Sequence, residues 1–383
     1  MKSRAANETR ASAEEVQTAT EIRLLDVGWW PTKGTSKREE YVGSAVCAGC
    51  HAEQAQRFAA TPMAHALVAT TGQDLPELAQ GPLRFSVGSY NYELAKKLTG
   101  PVFSVSDGTQ SLSARIGWVF GNGEFGRTYI YHEGASFYES RLSYYSSPRA
   151  LDFTTGNPRS APNRLGTALG RRMTGNEPQL CFGCHSTAAT TDDHFDPKDL
   201  VPGVTCEACH GPGALHVALM SAGHQAEVPS MIMNPAQLGP VASVDFCGAC
   251  HRTSVDVALN DIAGILTLRF PAYRLQRSRC WGKGDSRITC IACHDPHQPL
   301  VRGPASYDRN CLNCHSRTTS RAGNQPAISS GKEHNKRSNI AVCRVATNNC
   351  VTCHMPQHTI PEMHATFTDH RIGIYRKGAP FEQ

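Results

Sequence analysis

The 383-residue chain has no run of 18 or more apolar residues, which excludes a helix that spans a bilayer. It is poor in aromatics, at 7%, so a side-chain core of ordinary composition is not expected at this length. It has no strong charge of either sign, since Lys and Arg number 38 against 33 Asp and Glu, for a formal net charge of +5. Residues 1–40 are polar, and Met1 to Arg23 shows no apolar stretch of the kind a secretory leader carries. Apolar residues are nevertheless too frequent for a disordered chain, at 40% against 19% charged. The 33 glycines and 23 prolines indicate a chain rich in turns.

Cysteine is abundant. Of 16 cysteines, 14 fall into seven copies of Cys-x-x-Cys-His. The copies run from Cys47 to His51, Cys181 to His185, Cys206 to His210, Cys247 to His251, Cys290 to His294, Cys311 to His315 and Cys350 to His354. Composition alone predicts on the order of 0.03 copies.

The pattern is the attachment site of c-type haem. Each thiol adds across one haem vinyl group to form a thioether, and two intervening residues set the sulfurs about one helical turn apart. The adjacent histidine then reaches the iron as its proximal ligand. The seven copies predict seven covalent haems, carried on Cys47, Cys50, Cys181, Cys184, Cys206, Cys209, Cys247, Cys250, Cys290, Cys293, Cys311, Cys314, Cys350 and Cys353. The predicted proximal ligands are His51, His185, His210, His251, His294, His315 and His354. The competing chemistries fit less well. Zinc has no use for a histidine after every pair, a thioredoxin-like pair occurs once, and a disulfide framework does not repeat the histidine.

The haem macrocycles are expected to replace the missing side-chain core. Two propionates on each would bring the holoprotein to roughly neutral or acidic, so the basic sequence is no argument for nucleic-acid binding. Between residues 181 and 354, six motifs share 174 residues, or 29 each, which forces neighbouring porphyrins close together.

Along the chain, residues 52–69 read as a helix that Pro62 kinks or divides. Residues 76–175 contain no cysteine and carry β-rich runs at Leu83–Val87, Val102–Val105, Leu112–Phe120, Thr128–His132 and Phe137–Ser143, separated by turn clusters. Five units follow: 1–40 polar, 41–75 carrying the first haem, 76–175 a β-rich insertion and connector, 176–372 a six-haem domain, and 373–383 a polar tail. The expected fold is mainly α and irregular, with a haem-filled core and a small inserted antiparallel β region. Trp29-Trp30 reads as a local packing anchor.

Ten histidines lie outside the motifs: His65, His132, His194, His216, His224, His297, His334, His358, His364 and His370. They are enough to give every iron a sixth ligand. The Gly-Pro-Gly turn at 211–213 aims His216 at a neighbouring haem. His297, three residues after His294, serves a different iron. His364 and His370 flank a segment in which Asp369 is expected to orient an imidazole. Met63 and His65 compete for one haem. The leftover Cys280 and Cys343 suggest a disulfide, with free buried thiols or a bond to a partner as the alternatives. The Arg-rich stretches 164–172 and 269–279 suit haem propionates or a solvated face, with an anionic substrate as the alternative.

With these residues in view, the chain resembles a family of bacterial multihaem c-type cytochromes, distantly similar to the tetrahaem cytochrome of ammonia oxidisers. Some members carry tetratricopeptide repeats, and no such array follows residue 372 here. The resemblance rests on Tyr41 to Ser44, Thr61 to Met63, Cys181 to Thr187, Cys206 to Gly213, Cys290 to His297, Cys350 to Pro356, Phe367 to Ile372 and the region 121–145. It implies functional roles for Met63, His216, His297, His364 and His370.

Two functions are compatible with this reading. The first is electron transfer through close-packed haems without turnover. The second is reduction or oxidation of a small nitrogen or sulfur compound at one five-coordinate haem, with His132, Tyr129 and Tyr131 as candidate lining. All seven motifs end in His, against the subtype in which lysine replaces one. A haem-storage or filament role is the third possibility. Either main reading calls for a redox partner, such as another cytochrome, a quinol-oxidising complex or an extracellular acceptor. It also calls for a periplasmic or extracellular location, where haem is attached.

Overall fold

The computed structural model describes residues 36–71, 75–191, 194–224, 232–259, 262–281, 288–315, 343, 345–376 and 381. The Trp29-Trp30 pair and His334 lie outside these residues.

Strand makes up about 24% of the structure and helix about 36%. This corrects the expectation of a mainly α chain with a small β insert. The expected strand runs are present, but they are part of a larger system. A four-stranded antiparallel meander comprises β2 (Leu83–Val87), β3 (Tyr90–Lys97), β4 (Gly100–Ser106) and β5 (Ser111–Arg115). Its β4 alternates along its length, with Pro101, Phe103 and Val105 buried, as period-two patterning requires. The run Leu112–Phe120 divides at residues 116–117, ending β5 and starting β6 (Trp118–Phe120) in the second sheet.

That second sheet is ordered β1–β6–β7–β8–β10, with β9 also paired to β8. Here β1 is Leu67–Ala69, β7 Gly126–Glu133, β8 Ser136–Tyr145, β9 Ala150–Phe153 and β10 Gly170–Arg172. Strand β1 follows the first haem motif, and β10 precedes the second. The haem-bearing chain on either side therefore enters the sheet, so the β region is no separate insert. Gly170 makes this edge possible, because a Cβ there would meet the Glu139 carbonyl at 2.5 Å and the Tyr131 hydroxyl at 2.8 Å. Three further two-stranded ladders lie among the haem segments: 186–187 with 201–202, 190–191 with 194–195, and Gln357–Ile360 with Ala365–Thr368.

The two large sheets enclose an aromatic and aliphatic core that includes Tyr92, Leu94, Phe103, Ile116, Tyr129, Tyr131, Leu142 and Phe153. Beneath it, Arg127 pairs with the buried Glu77 carboxylate, and the Tyr129 hydroxyl donates to the same carboxylate at 2.9 Å. Tyr129 and Tyr131 are thus core residues and do not line a substrate site. The second core joins the sheet to a haem motif. Phe182, within Cys181–His185, packs edge-on to Trp118 and Phe120 and against Phe137 and Phe195.

The helices are short. The first are α1 (Ser44–Ala48), α2 (Ala52–Ala59), α3 (Leu165–Leu169), α4 (Glu177–His185), α5 (Cys206–His210) and α6 (Ala214–Ser221). They are followed by α7 (Pro240–His251), α8 (Ser254–Leu259), α9 (Pro271–Gln276), α10 (Asp308–His315) and α11 (Cys350–His354). The helix expected over 52–69 ends at Ala59, and a 3-10 turn over Met63–His65 leads directly into β1. Pro62, which cannot donate into the ladder, separates the two parts.

Candidate haem centres

Five motifs end a helix with their histidine as its last residue: α4, α5, α7, α10 and α11. The other two close a single helical turn, with His51 N donating to Cys47 O at 2.9 Å and His294 N to Cys290 O at 3.0 Å. In either form the two cysteines, three residues apart, share one face, and the histidine stands a turn above the first. This is the local geometry that two vinyl groups and an axial ligand require.

Three histidines outside the motifs face motif histidines from distant parts of the chain. His51 faces His216 with ring centres 6.5 Å apart and planes 27° from parallel. His210 faces His297 at 6.0 Å and 9°. His294 lies 6.2 Å from His370 at 46°. An iron held between two imidazole nitrogens at about 2 Å each would separate ring centres by roughly 6 Å, which all three pairs satisfy.

The second ring nitrogen supports the same assignment. Nδ1 of His210 donates to Met233 O at 2.8 Å, of His185 to Ala66 O at 2.9 Å, of His354 to Gly373 O at 2.6 Å and of His370 to Thr368 O at 3.1 Å. Each bond leaves Nε2 for a metal and fixes the plane of the ring. His216 Nδ1 is buried with no hydrogen-bond partner among the described residues. Burial lowers the pKa of His185, His210, His251 and His294, and pushes His370 down to about 4, so these rings are held neutral, as ligands must be. The residues present therefore fit haem c.

They fit zinc poorly. Among the described residues, no three His, Cys, Asp or Glu side chains converge as a metal site.

The remaining candidates sit differently. His65 is exposed, and its Nε2 lies 2.8 Å from Ala59 O. Met63 starts the 3-10 turn and accepts from Val204 N through its carbonyl. His364 adopts a left-handed backbone, φ 50°, and its Nε2 lies 2.7 Å from Asp152 Oδ2, with Tyr145 packed on the ring at 4.8 Å. His358 meets Phe381 edge-on. His132 borders a cavity of about 600 Å3 with Arg115, Trp118 and Lys198. His194 sits in the 194–195 ladder, and His224 is exposed just beyond α6. His315 ends α10.

Three expectations are corrected. Asp369 does not orient an imidazole, because both its oxygens take the buried Arg274 guanidinium, at 2.8 and 2.6 Å. That arginine is correspondingly withdrawn from propionate binding, and Arg171 is withdrawn likewise by Glu139 and Glu177. Cys280 and Cys343 are not joined to each other, so the expected disulfide is not formed.

Motif cysteines meet across motifs. Cys47 and Cys206 share a hydrogen bond, as do Cys247 with Cys290 and Cys350 with Cys311. Cys209 lies near Cys247, and Cys293 near Cys311. The second motif reaches the fourth, where Cys184 Sγ lies 3.5 Å from Ala249 O. One residue that sequence reasoning missed is Asp308. It opens the α10 helix and accepts Asn349 N at 2.7 Å and Cys350 N at 2.8 Å, tying the sixth motif to the seventh. Its position three residues before Cys311 was the only available signal.

Residues 141–211 match the family described as Cytochrome c554 and c-prime. Among solved structures, the chain is similar to the Outer Cell Wall Cytochrome OcwA, with 13% identity over 87% of this chain and 79% of that one and a TM-score of 0.45. It is also similar to the undecaheme cytochrome from the S-layer of Carboxydothermus ferrireducens, with 16% identity over 88% of this chain and a TM-score of 0.40. It covers 53% of that longer chain. No curated protein matches it. The family match contains the motifs Cys181–His185 and Cys206–His210, and five further copies of the same pattern lie elsewhere in the chain.

Proposed function

We propose that this chain is a heptahaem electron carrier of the periplasm or cell exterior, passing electrons to or from a protein partner or an extracellular acceptor. The three facing histidine pairs carry this reading, because an iron with two imidazoles has no free position for a substrate. Haem c, when bound, supplies the one-electron chemistry. The protein supplies the ligands, their orientation and the surrounding burial. Adjacent motif cysteines support the order first, third, fourth, fifth, sixth, seventh, with the second branching from the fourth. Among the described residues, no helix is long and apolar enough to cross a membrane.

The test is haem content with EPR of the oxidised protein before and after carbon monoxide. Seven low-spin haems per chain, indifferent to carbon monoxide, are expected. Fewer than seven haems, or several high-spin irons, would overturn the reading.

One observation favours a second reading, an oxidoreductase. A cavity of about 210 Å3 beside Cys181, Cys184 and His185 is lined by Arg252 and Arg269. Burial lowers the Arg269 pKa, with Arg252 adding to the effect and Tyr145 opposing it. Two cations there suit haem propionates or a small oxyanion. Under this reading, nitrite shifts the spectrum of one haem, and Arg269→Ala abolishes the shift. A spectrum unmoved by nitrite or hydroxylamine removes it.

A further inference from the structure

Glu207 lies between the two cysteines of the third motif and is 2% exposed. Its carboxylate reaches out of its own helix. Oε1 accepts Val42 N and Gly213 N, both at 2.8 Å, and Oε2 accepts Gly43 N at 2.8 Å. Gly43 is the N-cap of α1, which leads into Cys47–His51. Gly213 is the N-cap of α6, which carries His216. One side chain thus holds the starting points of both segments whose histidines face each other at 6.5 Å. The fit is close, since a Cβ on Gly213 would meet Val42 Cγ2 at 3.0 Å and Glu207 Oε1 at 3.2 Å.

Among the described residues, no Lys, Arg or His forms an ion pair with Glu207. Its hydrogen bonds come from uncharged amides, which satisfy the carboxylate without cancelling its charge. The charge is felt nearby: after burial and Cys206, it helps push the Cys47 thiol up to about 11. The Cys47–Cys206 contact places the first and third attachment sites together, with Glu207 beside them. A ferric haem with two neutral imidazoles carries one more positive charge than the ferrous form, so a buried anion favours the ferric state.

We propose that Glu207 is a positioning residue for the haem at Cys47–His51, holding its two axial histidines in register, and that its fixed charge lowers the reduction potentials of the first and third haems. This rests on the bis-histidine reading of the electron carrier.

The test uses spectroelectrochemistry and EPR on the full holoprotein. Glu207→Gln keeps the size and one acceptor oxygen but removes the charge. All seven haems should remain low-spin while two midpoint potentials move upward. Glu207→Asp keeps the charge, so its potentials should stay near the parent values while the EPR signal of the first haem shifts. Glu207→Ala removes both acceptor oxygens, and with them all three hydrogen bonds, and should bring part of one haem to high spin. Potentials unchanged in the Gln variant, or raised equally in Gln and Asp, would overturn the charge role. A fully low-spin Ala variant would overturn the positioning role. His216→Ala separates the two levels of the argument: if it produces no high-spin haem, the pairing with His51 is wrong, whatever Glu207 does.

Discussion

The sheets and the haem segments hold themselves together by different means. The cluster between the large sheets unites sixteen buried residues from Leu75 to Leu169, among them Tyr92, Phe103 and Tyr129. The corresponding cluster in the haem region, around α7 and α9, has three, Val244, Ala272 and Leu275. Fourteen of the 28 aromatics lie within residues 83–153, in and beside the sheets, whereas residues 176–372 hold eight. A stretch with so little to bury cannot offset the entropy of ordering its own chain. It needs covalent macrocycles as its core, supplemented by buried polar ties such as Arg274 with Asp369 and Asp308 with the amides of 349–350. The sheets need none of these.

The largest effect should come from withholding haem. Expressed where haem is not attached, the chain should lose hydrogen-exchange protection throughout residues 206–372 while keeping it in β3, β4, β7 and β8. Equal loss in both regions would break the comparison. Next is Arg274→Met, which leaves Asp369 buried and unpaired and should cost about 3–5 kcal/mol. The loss should appear in haem-region unfolding, followed by visible absorbance. Phe103→Ala should cost a similar 3–5 kcal/mol through its cavity. In this case far-UV circular dichroism should report the loss, with the haem spectrum unmoved below the transition.

The smallest effect concerns the contact between the two regions. At Asp152, burial tends to raise the pKa, but hydrogen bonds from Arg159, the Phe153 amide and His364 outweigh it and hold the carboxyl below its ordinary 3.8. Its folded pKa is depressed, so its contribution is full above pH 3.8 and is lost as the pH falls through the folded value. Asp152→Asn should flatten the acid limb of a denaturant-stability profile below pH 4 and change little at pH 7. An unchanged acid limb would show that this contact between β9 and the His364 segment contributes nothing to stability.

The strand runs at 83–87, 128–132 and 137–143 were legible because their alternation is local. The sheets' reach into the haem segments was not, since β1 and β10 are three residues each and acquire their meaning only from the partners beside them. The same division governs the haem sites. Cys-x-x-Cys-His sets two thiols and an imidazole within a single turn of backbone, so cofactor, attachment and proximal ligand follow from five consecutive residues wherever they fold. A distal ligand has no such local definition. His216 meets His51 across 165 positions, and His297 meets His210 across 87. Asp369, beside His370, turned instead to an arginine 95 residues away. Local covalent spacing determined the chemistry of this protein. Which histidines face each other, and which carboxylate lies beside them, was decided by long-range packing, because only there do segments far apart in the chain come within contact distance.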